Sequence, residues 1–356
     1  MKLNQKQIKA YQRDGYLMIK KLFDEEEIGL LSSSAKQDRE LDRRSQERND
    51  GQGGTVRLSL WNHPGDTIYG MFARCHRIVN SMEVLLDGEV YHYHSKMIFK
   101  EPKIGGAWEW HQDYGYWYQN GCLQPLLASV MIAVDPATTG NGCLQVLRQS
   151  HHMGRIDHQQ TGDQVGAEME RVAESMKIFD LVYVEMEPGD ALFFHCNLLH
   201  RSNQNRSPNP RWSLICCYNA ARNNPYKESH HPRYTPIQKV PDTAIRTVGI
   251  KRFEEHSDLE SMEAQDGHSA SSLKKFKHPS NCMSSKTTER LEFHELLQFF
   301  ENHLKQQILP FWLEHCVDHE GGGFNNCVND DGSLVSTEKF LWSQGRALWV
   351  FSSLYN

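Results

Sequence analysis

The sequence predicts a mainly β protein with flanking helices, followed by a short α-helical C-terminal segment. Between residues 90 and 222, apolar or alternating runs such as "LLASVMIAV" and "RWSLICCYN" are separated by turn segments such as "DPATTGNG" and "EPGD". Strands at this spacing are typical of an all-β sandwich or barrel and not of alternating βαβ units. The polar segment 151–180 interrupts them, and its length suggests an active-site lid.

The N-terminal third combines helical patterns with one charged stretch. Residues 3–35 predict helices around a short strand at "GYLMIKKLF", and Asp24 precedes three glutamates as a helix N-cap would. Residues 36–66 are charged and rich in glycine, which predicts an exposed loop. Residues 67–88 predict one further helix.

Composition limits the classes of partner. The chain has 356 residues, a formal net charge of −6 and no basic block, which argues against nucleic-acid and anionic-membrane partners. The first residues are too polar for a signal peptide, and no apolar run approaches the roughly 18 residues of a membrane span. Nine cysteines without a CxxC pair indicate reduced, buried thiols. We therefore expect a soluble, cytoplasmic protein, and the sequence is silent on its oligomeric state.

The last hundred residues change character. Residues 255–290 are rich in Ser, Lys and Glu and predict a flexible linker between residues 1–254 and residues 291–356. Beyond the linker, "LEFHELLQFFENHLKQQILPFWLEHCV" has helical periodicity. A segment of about 65 residues with so many aromatic side chains buries its apolar faces poorly by itself.

The chemistry is concentrated in "WEWHQDYGYW", residues 108–117. If this stretch is a strand, His111 and Asp113 point to the same side and can be two ligands of one ion. A third ligand is available in "ALFFHCNLLH", where both His195 and His200 are candidates and spacing alone excludes neither. Arg211 follows His200 by eleven residues, and a hairpin would set this guanidinium beside the His200 imidazole.

This combination of residue types points to a defined chemistry. Two histidines and one carboxylate on one face of a metal leave open coordination positions, as in non-heme Fe(II) oxygenases. A nearby arginine pairs bidentately with a carboxylate and keeps its charge. Metal and arginine together suggest a dicarboxylate keto acid as co-substrate.

Residues 3 to about 250 resemble the phytanoyl-CoA dioxygenase family. The resemblance rests on "QRDGYLMIKKLFDEEEIGLL", "SKMIFKEP", "WHQDYGYW", "NGCLQVLRQSHHMG" and "EPGDALFFHCNLLHRSNQN" in the family's order. It implies a double-stranded β-helix, a cupin-like jelly roll, with Fe(II) held by His111, Asp113 and His200. It also implies that Arg211 anchors 2-oxoglutarate with help from Ser202.

The resemblance extends to further site residues and to the reaction. Trp117 is expected to face the site by strand parity, and His94 occupies a position at which relatives contact the co-substrate, with Lys96 a weaker candidate of the same parity. The aromatics of opposite parity are expected to serve packing: Trp108, Trp110, Tyr114 and Tyr116. The implied reaction uses dioxygen and 2-oxoglutarate to hydroxylate an unactivated carbon of a small molecule, with ascorbate as a supporting reductant.

Residues 291–356 carry a second resemblance, to the opening of N-acylglucosamine 2-epimerases, whose helices close into an alpha/alpha toroid. It rests on "FWLEHCVDHEGGGFNNCVNDDGSLVSTEKFLWSQGRALWVF" and implies a glycine turn at "EGGGF" and a sugar-pocket role for Arg346. Only the first two helices are covered. Two alternatives to an independent hydroxylase thus remain open: a non-catalytic β-helix binding protein, and the hydroxylase half of a bifunctional carbohydrate-modifying protein.

Overall fold

A computed structural model describes the protein at residues 2–43, 45–50, 53–161, 164–251, 298, 300–325, 327–329, 331–337, 339, 344 and 347. The chain divides into two compact units, Met1–Ala270 and Ser271–Asn356. The predicted linker 255–290 and Arg346 lie outside the described residues. Within those residues, no helix has both the length and the apolar character that crossing a bilayer requires.

The N-terminal elements follow the sequence prediction. Helix α1 (Gln5–Asp14), strand β1 (Tyr16–Ile19) and helix α2 (Glu25–Gln37) succeed one another. Asp24 caps α2 by accepting a hydrogen bond from the Glu27 backbone at 3.0 Å, while the Glu27 side chain accepts from the Asp24 backbone. This reciprocal capping box satisfies two amide groups that the first turn of a helix leaves unpaired.

The loop predicted for residues 36–66 is wrong. Helix α3 (Arg39–Arg43) is followed by the antiparallel strands β2 (Gln46–Asn49) and β3 (Thr55–Trp61), which extend the larger sheet. Charged residues dominate β2 because it is an edge strand, and this composition concealed it. Residues 67–88 form two helices instead of one, α4 (Ile68–Arg74) and α5 (His76–Leu85), because Cys75 between them has extended backbone angles.

Two antiparallel sheets make up the body of the first unit, which confirms the predicted mainly β class with flanking helices. Besides β1, β2 and β3, the larger sheet contains β4 (Val90–Lys100), β6 (Leu127–Ala133), β11 (Ala191–His195) and β13 (Arg211–Ala220). The smaller sheet consists of β5 (Trp108–His111), β7 (Leu144–Leu147), β10 (Leu181–Val184) and β12 (His200–Ser202). The strand order is β1-β11-β6-β13-β4-β3-β2 in the larger sheet and β10-β7-β12-β5 in the smaller one.

Strands β12 and β13 do not form the hairpin that would have set His200 beside Arg211. Strand β12 pairs with β5 and β7 in the smaller sheet, whereas β13 pairs with β4 and β6 in the larger one. The polar loop between them therefore crosses from one sheet to the other. His200 and Arg211 approach each other from opposing sheets.

Strand periodicity places the core on both sides of the larger sheet. Along β6, Val130 and Ile132 belong to one cluster of buried residues, which includes residues of the N-terminal helices. Met131 and Ala133 belong to a second cluster. This second cluster also contains Leu144 and Val146 from the smaller sheet. Alternate residues of the larger sheet thus fill the space between the two sheets.

The segment 151–180 is structured. It contains strands β8 (His158–Thr161) and β9 (Gln164–Ala167), which form an antiparallel pair, and helix α7 (Met169–Ile178). Short 3₁₀ turns occupy Thr139–Asn141, Ser150–Met153 and Ala221–Asn223, and residues 244–251 are helical. The cysteines with described burial, at 75, 122, 143, 196, 216, 217 and 316, are free and buried, as predicted.

The second unit contains a π-helical turn at Leu304–Ile308, an α-helix at Leu309–His315 and the paired strands β14 (Cys327–Val328) and β15 (Leu334–Ser336). The glycine motif before β14 forms a turn in which Gly322 and Gly323 have φ of 75° and 79°. The Gly322 amide donates to the Asp318 carbonyl at 3.0 Å, and the Asp318 amide donates to the Gly323 carbonyl at 2.9 Å. Glycine suits these positions because it adopts positive φ without strain.

A buried carboxylate fixes the edge strand β1 against β11. Asp190 is 1% exposed and accepts hydrogen bonds from the backbone amides of Lys21 and Glu187, both at 2.8 Å, and from the Lys20 ammonium at 2.8 Å. Burial alone would raise the pKa of this carboxyl, but the hydrogen bonds from Lys20 and the two amides lower it. At the preceding Gly189, an added Cβ would lie 2.1 Å from the Phe23 carbonyl oxygen.

We expect Asp190→Asn to lower the free energy of unfolding by about 1–3 kcal/mol at neutral pH, because an amide cannot satisfy all three donors. A carboxyl with a lowered folded pKa contributes stability above its unfolded value of about 3.9 and loses it as the pH falls. The gap between wild type and variant, measured by urea unfolding, should therefore narrow below about pH 4. Asp157→Asn, which removes an exposed ion pair with Arg155, is the control. A gap independent of pH would contradict this role for the carboxylate.

Candidate metal centre

His111 and Asp113 converge, although not through the strand geometry that the sequence suggested. Strand β5 ends at His111, and Asp113 begins the one-turn helix α6 (Asp113–Trp117). The strand-parity argument for residues 111–117 is therefore wrong beyond His111. Gln112 is still extended, and the helical turn that begins at Asp113 holds its carboxylate near the His111 ring, with Oδ1 3.9 Å from Nε2.

His200 is the histidine that joins them. Antiparallel pairing of β12 with β5 sets His200 opposite His111, and the ring centroids are 4.0 Å apart. His195 lies on β11 in the other sheet, where its ring packs against His151 and Tyr11. The structure thus separates two candidates that spacing could not.

The three side chains form a cluster able to hold a metal ion. One nitrogen from each of His111 and His200 and one oxygen of Asp113 all lie within 4.8 Å of one another, and all three residues are buried. Because such donors bind a first-row ion at about 2 Å, donors sharing an ion lie within about 4 Å of each other. The cluster needs only a small contraction to bind one ion. No second group of this kind occurs among the described residues.

Hydrogen bonds orient both imidazoles. His111 Nδ1 lies 2.8 Å from the Glu109 carbonyl oxygen, and His200 Nδ1 lies 2.8 Å from the Leu198 carbonyl oxygen. A proton on each Nδ1 satisfies these carbonyls and leaves the Nε2 lone pair for a metal. Burial lowers the pKa of both rings, and at His111 the neighbouring His200 lowers it further. Both imidazoles are therefore neutral at physiological pH, as ligands must be.

The carboxylate is positioned from the opposite sheet. The Ser129 hydroxyl on β6 donates to Asp113 Oδ2 at 3.0 Å, which leaves Oδ1 directed toward His111. Ser129 also contacts the Cys217 sulfur at 3.2 Å. A hydrogen bond to the second oxygen of a ligating carboxylate is the usual support of a metal site.

Gln112, between the two ligands, fastens this loop to its surroundings. Its side-chain amide donates to the carbonyls of Gly154 and Asn197, both at 2.8 Å, and its oxygen accepts from the Ile156 backbone at 2.7 Å. Its own backbone amide donates to His158 Nε2 at 2.9 Å. Every polar group of the side chain is thus used to hold the chain path between His111 and Asp113.

Arg211 lies buried at the start of β13, 3% exposed. Its guanidinium donates to the Gly142 carbonyl at 2.7 Å and to the Ser213 hydroxyl at 3.3 Å, and its Nε has no partner among the described residues. Burial lowers its pKa to about 10, so it stays charged at neutral pH. None of these described contacts is a carboxylate, so the positive charge is poorly compensated.

Lys100 is a second buried cation, which the sequence reasoning missed. It ends β4 directly opposite Arg211 in the strand register, and its ammonium donates to the Ser202 hydroxyl at 2.8 Å. Burial and then Arg211 lower its pKa. The signal was available: Lys100 has the same strand parity as His94 and Lys96 in "HSKMIFK". Two adjacent buried cations are costly without an anion between them.

One pocket connects these cations with the two histidines. Its lining includes His111, His200, Arg211 and Ser202, as well as Trp108, which had been expected only to pack. The other lining residues are Val56, Leu58, Lys96, Ile98, Lys100, Met131, Leu144, Arg201 and Ile215. The lining therefore contains four cationic side chains and no carboxylate. Such a pocket favours an anion that reaches from the histidines to Arg211.

His94 and Trp117 lie near each other. Their ring centroids are 5.7 Å apart, and His94 stacks on His231 at 4.7 Å with an interplanar angle of 21°. A β-bulge near Tyr93 shifts the register here, since Cys217 pairs with His94 but Tyr218 pairs with His92. Neither His94 nor Trp117 belongs to the pocket lining given above. Bulges of this kind re-aim side chains beside active sites.

Comparison with known proteins identifies relatives of this chain. The profile of the family described as "Phytanoyl-CoA dioxygenase (PhyH)" matches residues 11–213. An ectoine dioxygenase from Bordetella bronchiseptica is 27% identical over 251 residues, which are 65% of this chain and 80% of that protein. An L-proline trans-4-hydroxylase from Streptomyces griseoviridis is 30% identical over 179 residues, covering 46% of this chain and 67% of the relative.

Solved structures share the fold. The crystal structure of EctD from S. alaskensis with 2-oxoglutarate and 5-hydroxyectoine has a TM-score of 0.57 at 23% identity, covering 67% of this chain and 88% of that one. The carbocyclase SnoK from nogalamycin biosynthesis has a TM-score of 0.52 at 20% identity, over 65% of this chain and 97% of that one. With its profile match spanning more than half of the sequence, the chain belongs to the phytanoyl-CoA dioxygenase family.

Proposed function

We propose that the protein is a hydroxylase that uses Fe(II), 2-oxoglutarate and dioxygen to oxidise an unactivated carbon of a small molecule. The observation that carries this proposal is a pocket in which two metal-oriented imidazoles and two buried cations face one another. A metal site alone would fit many proteins. The cations add a place for a dicarboxylate keto acid, which the family's chemistry requires.

The donor set fits the ion. His111, Asp113 and His200 would hold Fe(II) through Nε2, Oδ1 and Nε2, and two histidines with one carboxylate are the facial set of non-heme iron oxygenases. The iron and keto acid together supply oxygen activation, with products succinate, carbon dioxide and one hydroxyl group on the substrate. Ser129 keeps the Asp113 carboxylate turned toward the two rings by its 3.0 Å hydrogen bond.

The cations fit the far end of 2-oxoglutarate. Arg211 would bind the distal carboxylate through its guanidinium, since Nε has no partner among the described residues. Lys100 and Ser202 would complete the site, because the Lys100 ammonium already orients the Ser202 hydroxyl. The Gly142 carbonyl fixes Arg211 in place, so little side-chain entropy is lost on binding. A dianion here relieves the repulsion between the two buried charges.

We propose roles for Trp117 and His94 that differ from those implied by the resemblance. Their rings lie near each other and near Tyr93, and along β4 His94 is six residues from Lys100, the cross-strand neighbour of Arg211. We assign them to the side of the metal that receives the primary substrate. Their flat, largely apolar surfaces suit a small organic molecule.

The C-terminal unit adds no residue to this proposal. Its glycine turn is consistent with the suggested resemblance to the opening of a sugar epimerase, and Arg346 lies outside the described residues. A bifunctional carbohydrate-modifying protein stays a second hypothesis. The proposed chemistry depends only on residues of the first unit.

We expect His111→Ala and His200→Ala to abolish Fe(II)-dependent succinate formation from 2-oxoglutarate, assayed with ascorbate as reductant. Iron affinity should fall by more than the roughly 10- to 100-fold that loss of an outer hydrogen-bond partner causes. His195→Gln is the matched control, because His195 lies on β11 in the larger sheet, outside the cluster. Iron binding that depends on His195 and not on His200 would overturn the ligand assignment.

Arg211→Ala should chiefly weaken 2-oxoglutarate binding, by about 2–5 kcal/mol, the range for truncating one partner of a buried ion pair. Lys100→Met should weaken it in the same direction, whereas iron affinity in both variants should stay close to that of wild type. Calorimetric titration of Fe(II) and of 2-oxoglutarate, both under anaerobic conditions, separates the two effects. Equal losses of iron and keto-acid affinity would contradict separate sites.

A further inference from the structure

Lys96 is a pocket cation that the proposed function does not use. It lies on β4 between His94 and Ile98, and alternation directs all three side chains to the same face. Its cross-strand partners on that face are Ile215 and, beyond it, Met131, and these line the same pocket as His111 and His200. Among the described residues we find neither a hydrogen-bond acceptor nor an anionic partner for its ammonium.

The strand register places Lys96 beside the metal centre and away from the keto-acid end. Ser129, which holds Asp113, pairs with Cys217, and Cys217 pairs with His94. The row formed by Lys96, Ile215 and Met131 comes next, and the pair of Lys100 and Arg211 lies two rows farther along. Lys96 therefore lies one row from Ser129, the residue that holds Asp113, and on the same face of β4 as His94.

Electrostatics agree with this proximity. Burial is the main cause of the lowered pKa values of His94, His111 and His200, and the positive charge of Lys96 lowers each of them further. Burial is also the main cause that lowers the pKa of His231, to about 3, and the charges of His230 and then Lys96 lower it further. The ammonium thus lies within electrostatic reach of both the ligands and the stacked histidines.

The charges of a loaded site leave Lys96 uncompensated. Fe(II), Lys100 and Arg211 together would carry four positive charges. 2-Oxoglutarate and Asp113 would supply three negative charges, and Asp50, whose carboxylate acts on Lys100, supplies a fourth. Arg201 is engaged separately, since its Nε donates to the Gln145 side chain at 3.0 Å and its guanidinium lies over the Trp110 ring. These charges balance before Lys96 is counted. An unpaired ammonium in this place favours a further anion.

We propose that Lys96 binds a carboxylate of the primary substrate and that His94, stacked on His231, contacts the same molecule. This inference rests on the proposed function and names its substrate class: a small monocarboxylate. One ammonium among apolar neighbours matches a single negative charge better than a phosphate dianion. His94 is 3% exposed and its Nδ1 has no partner among the described residues, so it has a polar atom available for the ligand.

The test uses the full-length chain loaded with Mn(II), which replaces iron without turnover, and saturated with 2-oxoglutarate. Matched pairs of a carboxylate and its neutral amide are titrated by calorimetry: acetate with acetamide, butyrate with butyramide, and cyclopentanecarboxylate with cyclopentanecarboxamide. Each pair differs in charge and hardly in shape. Because 2-oxoglutarate occupies the site at Arg211, carboxylate binding reports on a different position.

At least one carboxylate should bind the wild type about tenfold or more tightly than its amide, a difference of the size expected for one charged hydrogen bond. Lys96→Met should abolish that preference, and Lys96→Arg should retain it. The 2-oxoglutarate dissociation constant of Lys96→Met should stay within about threefold of wild type. Lys9→Met, which removes the same charge from the exposed face of α1, should behave as wild type.

Two results would overturn the proposal. One is equal binding of carboxylate and amide in every pair by the wild type, including no binding of either. The other is a Lys96→Met variant that loses 2-oxoglutarate affinity instead of the carboxylate preference, which would assign the lysine to the co-substrate. If the wild type binds no 2-oxoglutarate at all, the proposed function itself fails, and this outcome is distinct from the first two.

Discussion

The pairing of His200 with His111 across β12 and β5 is the constraint on which the site depends. It sets two imidazoles 4.0 Å apart at the end of a short ladder, and the helical turn that begins at Asp113 adds the carboxylate. Each ring is then fixed by a hydrogen bond to a carbonyl two residues earlier in its own chain segment. The protein therefore builds its cluster from backbone geometry, and Ser129 supports it from the opposing sheet.

The opposing sheet contributes charge in place of ligands. Along the inner face of β4, His94, Lys96 and Lys100 follow at intervals set by strand alternation, and Arg211 enters from β13 at the far end. Lys100 and Arg211 are buried beside each other, and this is unfavourable until an anion binds, although Asp50 acts on Lys100. The same feature that weakens the fold locally thus provides affinity, a common compromise at functional sites.

Much of this arrangement could be predicted from sequence because its signals are local. The helix cap at Asp24, the strand runs and the ligand motif depend on neighbouring residues. The edge strand β2 was missed because its charged residues do not alternate in polarity, and its position follows only from pairing with β3. Spacing could not decide between His195 and His200, because that choice depends on which sheet each strand joins. Two-residue alternation failed after His111, because the one-turn helix α6 follows the strand.

Gln112 connects the chain between the two ligands with several other segments of the protein. Its backbone amide donates a hydrogen bond to His158, and its side chain forms hydrogen bonds with the backbone of Gly154, Ile156 and Asn197. Local opening of the segment that carries His158 exposes the backbone amide proton of Gln112, the residue between His111 and Asp113. The hydrogen-exchange rate of this one amide is therefore a native reporter of the integrity of the cluster, and it is readable without dye, label or turnover.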